Sequence, residues 1–197
     1  MVEDGTPLPV DRLHNLENLL GMYEYNPLIV LVNEAIANAV DAFRENKMKS
    51  GNIDIKLIRK NNQYGYISFH NNAPPMTENQ FYGKYHHVSF SFKQKGQGIG
   101  FAGVGAKIFL VSDDGGEIIT VTGKSKHNFM ASKMFRTVDD VKFKTTKDYP
   151  LSEILTIPNY THTSGTTYSA RLTNNGYDYY KERLPGLIQF WWNFGLL

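Results

Sequence analysis

Short strand-like runs, set at hairpin spacing and separated by a few helical stretches, are what most narrows the folds open to this chain. Ile53, Ile55 and Leu57 alternate with Asp54 and Lys56, the two-residue period of a half-buried strand. Tyr64 to Phe69 follows across an Asn61-Asn62-Gln63 turn, which predicts a hairpin. Similar runs recur at Glu117–Thr122, Phe129–Phe135, Val141–Thr145 and Thr166–Leu172. Helices are expected at Leu28–Phe43, with Pro27 in the first turn where its missing amide hydrogen does no harm, and at Val104–Val111 and Tyr177–Phe194. A short one is expected at Thr77–Tyr85, capped by Thr77. The pattern predicts an α+β fold, a two-layer sandwich with helices packed on one face of a mixed, mostly antiparallel sheet.

At 197 residues the chain is sized for one domain, residues 1–197, with 1–26 read as a loose N-terminal arm and 177–197 as a C-terminal helix. The apolar stretch from Leu187 to Leu197 either packs back on the domain or is covered by a further one, and the reading leans towards a fragment. There is no cysteine, which excludes disulfides, thiolate metal sites and a cysteine nucleophile. No apolar run approaches the ~20 residues that cross a bilayer, and no signal layout opens the chain, so no membrane role and a cytoplasmic address are expected. Net charge is +2, and the lysines at 124, 126, 133, 142, 144 and 147 read as solvated strand and loop faces. The six histidines, His86 and His87 among them, show no metal-ligand spacing.

Four segments carry candidate chemistry. Gly98, Gly100, Gly103 and Gly105, with Phe101, Ala102, Val104 and Ala106 between and after them, run into an apolar helical segment. Loop glycines allow close backbone approach, and a helix N-terminus favours an anion, so this layout suits a phosphate, with Lys107 adding a charge one turn in. On the first helix Glu34 and Asn38 stand four residues apart on one face. There Glu34 reads as a general base that deprotonates a water and Asn38 as an oxygen ligand for magnesium, or both simply face solvent. The loop Asn71-Asn72-Ala73-Pro74-Pro75-Met76 follows a strand, and Gly165-Thr166 opens another.

In this order the segments resemble the four boxes of the GHKL superfamily, which groups gyrase, heat-shock-chaperone, histidine-kinase and MutL ATPases. Glu34, Asn38, Asp41 and Ala42 match the first box. Asn71 to Met76 align with the second, Gly100, Gly103 and Gly105 with the third, and Gly165-Thr166 with the fourth. Within the superfamily the chain is most similar to the N-terminal ATPase domain of the B subunit of topoisomerase VI. Leu20 to Pro27, Phe81 to Lys84, Ser89 to Gln97 and Gly103 to Lys107 carry that likeness.

The resemblance implies a Bergerat ATP-binding fold that binds and hydrolyses ATP with Mg2+ and forms an ATP-dependent homodimer. It further implies a gate in DNA strand passage, with a cleaving partner subunit. Residues implied at the nucleotide are Asn38, Asn71, Met76, Ser91, Lys93, Gly98, Gly100 to Lys107 and Thr166, with Glu34 catalytic and Asn38 on the metal. Gly96 and Gly98 are expected to be lid hinges. Two departures stand out. The family's adenine-reading aspartate is Asn71, whose oxygen can still accept from an exocyclic amine, and the second-box glycines are Ala73 and Pro75. A chaperone- or MORC-like ATPase, and a nucleotide sensor with little turnover, remain alternatives.

Overall fold

The computed structural model describes residues 12–22, 26–86, 105–138 and 140–193. Helix α1 (Arg12–Met22) precedes α2 (Pro27–Glu45), the hairpin β1 (Ile53–Arg59) and β2 (Tyr64–Asn71), and α3 (Glu78–Gln80), which passes into a π turn at Phe81–Tyr85. After α4 (Gly105–Ile108) and a 3-10 turn at Phe109–Val111 come β3 (Glu117–Ser125), β4 (Asn128–Arg136) and β5 (Val141–Thr145). Short α5 (Leu151–Ile154), then β6 (Gly165–Thr173) and α6 (Asn174–Asn193), complete the order.

The six strands form one sheet in the order β1-β2-β6-β3-β4-β5. Every pairing among the described residues is antiparallel, and with the helices packed on it the sheet gives the expected α+β two-layer sandwich. Each helical and strand segment expected from the sequence is present, with ends shifted by a few residues.

Helix α2 shows why its residues fold as they do. Asn26 caps it, its Oδ1 accepting the Leu28 amide at 2.8 Å, and Pro27 occupies the first turn. Leu28, Leu31, Val32, Ala35, Ile36 and Val40 then make one buried stripe. That stripe packs with Ile67 and Phe69 of β2, Ala170 and Leu172 of β6, Phe109 and Tyr180. Tyr180 is fully buried, and its hydroxyl donates to the Leu28 carbonyl at 2.6 Å, tying α6 to the start of α2.

A second cluster sits on β3 to β5, where Leu16 of α1 meets Ile108, Leu110, Val111, Ile118, Met134 and Val141. Residues 12–22 are therefore a docked helix, in place of the loose arm expected over 1–26. The opposite face of the sheet is also covered at its centre: Tyr66, Ile119, Val121 and Ala131 pack against Ile154 and Ile157.

Candidate functional site

Register alone sorts the helix-facing side of the sheet into rows. One row reads Leu57, Ile67, Ala170, Ile118 and Met134, and is apolar throughout. The next reads Ile55, Phe69, Tyr168, Thr120 and Ser132. The last reads Ile53, Asn71, Thr166, Thr122 and Met130. The layer thus passes from hydrocarbon to hydroxyl and amide over two rows, and the sheet ends in a polar patch. Buried polar groups need partners, and Thr120, Thr122 and Thr166 find theirs close by, whereas the Ser132 hydroxyl is left without one.

Met76 donates its amide to Thr122 Oγ1 at 2.9 Å, and Thr122 Oγ1 lies 2.8 Å from Thr166 Oγ1. The second and fourth segments are therefore joined through Thr122, a residue the sequence reading did not single out. A signal for it exists. Ile118, Thr120 and Thr122 alternate on one face, and the change from isoleucine to threonine marks where the core gives way to a polar end.

Asn71 closes β2. Its Oδ1 accepts the Ala73 amide at 3.2 Å, the side-chain turn typical of asparagine at a strand end. Ala73 is buried, so its methyl fills space that a glycine would leave open. Asn72 Oδ1 accepts the Asn52 amide at 2.8 Å, and the Asn72 amide donates back to the Asn52 carbonyl at 3.3 Å, locking the loop to the start of β1. Opposite, Gly165 has φ +127°, and a Cβ there would lie 2.0 Å from the Asn71 carbonyl oxygen. Only glycine lets the two strands approach so closely.

Helix α2 runs towards this end of the sheet. The Phe43 ring, near the C-terminal end of α2, packs against Gly51, next to Asn52. Asn38 is exposed, Glu34 half-buried and Asp41 buried. Burial first, then the charges of Tyr85, Tyr180 and Glu34, hold the Tyr168 phenol well above its usual range, which sets Glu34 near the middle row. Burial likewise pushes the Tyr85 phenol up to about 12, although its hydroxyl lies 2.6 Å from Thr120 Oγ1.

Lys107 is buried in α4. It is 6% exposed, and its ammonium sits over the Tyr85 ring, 5.3 Å from the centroid. It lines a small cavity with Leu16, His86, Leu110, Met134 and Phe143, none of which belongs to the four segments. Burial lowers its pKa from 10.5 to about 8. Gly105 and Ala106 open α4, while Ser91, Lys93, Gly98, Gly100, Phe101, Ala102, Gly103 and Val104 lie outside the described residues.

No group of three or more His, Asp or Glu side chains gathers as a metal cage among the described residues. Asn38, exposed on α2, carries a carboxamide oxygen, the hard kind of donor that magnesium takes. No described helix is long and apolar enough to cross a membrane.

Comparison with known proteins adds little. No protein-family model matches the chain, and no curated protein does. One solved structure that aligns with it is described as "Crystal Structure of N terminal domain of a DNA repair protein". Identity is 15%, the TM-score is 0.46, and the alignment covers 90% of this chain and 47% of the other, so this chain spans about half that length.

Proposed function

We propose that this chain is a GHKL-type nucleotide-binding domain that binds and hydrolyses ATP with magnesium, the cycle driving dimerisation in a topoisomerase VI-like gate that works with DNA and a cleaving partner subunit. One observation carries the reading. Two segments far apart in sequence, Asn71 to Met76 and Gly165-Thr166, meet on Thr122 at the polar end of the sheet, the end towards which α2 carries Glu34 and Asn38.

In this arrangement Glu34 takes a proton from the attacking water and orients it. Asn38 gives an oxygen to magnesium, which when bound neutralises phosphate charge. Asn71 and Thr166 meet the base. Gly100 to Lys107 meet the phosphates.

The test is phosphate release from millimolar ATP by wild type and Glu34→Ala, with ATP affinity measured alongside. Glu34→Ala should lose about a hundredfold or more in rate while binding ATP normally. Equal rates in the two proteins would overturn the hydrolase reading. In calorimetry Asn38→Ala should lose the magnesium-dependent part of ATP affinity, and an unchanged magnesium dependence would refute that role.

A further inference from the structure

We infer that the base position of this site selects a purine bearing an acceptor at position 6, as in inosine triphosphate, over the amine of adenine. The inference rests on the nucleotide reading above and turns on which edge of Asn71 faces a ligand.

A carboxamide is planar and has two unlike ends, an oxygen that accepts and an NH2 that donates. Which end points where is decided by the hydrogen-bond partners around it. Here one partner is decisive. The Ala73 amide points at the Asn71 side chain from 3.2 Å, and an N–H needs an acceptor. Turning the carboxamide over would set NH2 against N–H, donor against donor. The oxygen is therefore held on the side of the chain, and the NH2 lies on the other side of Cγ. No acceptor among the described residues reaches that NH2, and Asn71 is half-buried.

The backbone that carries this side chain is also held in place. Asn71 pairs with Ile53 on one side and Thr166 on the other. Its carbonyl sits where Gly165 has no Cβ, and the Asn52–Asn72 hydrogen bonds pin the next residue. With the oxygen turned to the Ala73 amide, a ligand at the other edge meets a donor. An aspartate in the same turn would accept from Ala73 with one oxygen and present the other, so the single atom that separates the two residues reverses the polarity of the exposed edge. Against an NH2, an exocyclic amine brings two donors together, whereas a keto oxygen completes a hydrogen bond. Sites built to hydrogen-bond one group reject an analogue that leaves the group unpaired.

The experiment is calorimetric titration of the full chain with inosine and adenosine triphosphates, which differ at position 6 and at the adjoining ring nitrogen. The wild type should bind inosine triphosphate about tenfold or more tightly than ATP. Asn71→Asp should reverse the order. ATP binding as well as or better than inosine triphosphate in the wild type would overturn this inference and leave the nucleotide reading standing. A preference unmoved by a folded Asn71→Asp would also overturn it. The wild-type ratio does not depend on the variant's folding. Binding of neither nucleotide would overturn both the inference and the reading beneath it.

Discussion

Replacing Gly165 by alanine asks the sheet to do something its geometry forbids. The residue sits at φ +127°, where an L side chain is strained by about 1–3 kcal/mol whatever its surroundings. The surroundings make it worse. The new methyl would lie 2.0 Å from the Asn71 carbonyl oxygen, 3.0 Å from its carbon and 3.1 Å from the Asn72 Cα, all of them backbone. No rotamer relieves such a contact. To reach even 3.0 Å from the oxygen, the end of β6 must move about 1 Å away from β2, stretching the ladder hydrogen bonds there at about 1 kcal/mol each. Together these give a loss of about 3–5 kcal/mol, a large share of the 5–15 kcal/mol that holds a typical domain together. With a slope of about 2 kcal/mol per molar urea, the unfolding midpoint should fall by roughly 2 M. Gly186→Ala is the matched control, since nothing lies within 4 Å of a Cβ there and the residue is inside α6. That change should raise stability by about 0.5–1 kcal/mol. A Gly165→Ala midpoint within about 0.5 M of wild type would refute the steric argument.

Thr122→Val keeps the shape of the side chain but leaves the Met76 amide and the Thr166 hydroxyl without their shared partner. It should cost about 1–3 kcal/mol in urea unfolding and weaken nucleotide binding, and a variant unaltered in both would mean the junction is idle. Lys107 gives a pH signature of known sign. Its folded pKa lies near 8 against 10.5 unfolded, so between these values the unfolded chain holds more protons and stability rises with pH. Lys107→Met should therefore be more stable than wild type at neutral pH by up to about 3 kcal/mol, the gap narrowing towards about pH 9.5. A gap that stays constant in pH-dependent denaturation would contradict the burial of a charged ammonium. His162 acts at the other end of the scale. Burial is the main force lowering its pKa, so the unfolded chain takes up its proton first and stability falls as pH drops through 6.5. His162→Gln should flatten that acid slope in the same assay, and an unchanged slope would exclude the residue as its source.

What the sequence made legible is local in character. The Pro27 start and apolar stripe of α2, the Asn61 turn between β1 and β2, and the Thr77 cap with its reciprocal Gln80 contact all depend on residues within a few positions of one another. The elements that escaped notice depend on distant partners. Leu16 makes α1 a docked helix only because Ile118, Met134 and Val141 form a floor for it. Ile154 and Ile157 become a cover only because Tyr66 and Ile119 turn their side chains to that face. The site divides the same way. Glu34 and Asn38 follow from helical spacing, whereas the meeting of Met76, Thr122 and Thr166 follows from register, which no short window contains. Lys107 shows the converse, for its place one turn into a helix was plain, but the direction of its side chain was set by Tyr85.

The position of β6 has a consequence for how the chain is made. Although it is the last described strand, it lies between β2 and β3 and supplies the backbone ladder that links the β1-β2 hairpin to the β3-β4-β5 meander. Until residues 165–173 leave the ribosome, the two halves have no shared ladder. Asn71 and Thr122, one on each half, are brought into one ladder only when β6 enters between them. Closing such long loops is slow compared with forming hairpins. The polar end of the sheet is therefore assembled last, by the same event that completes the core, and no partly folded form of the chain should hold a competent site.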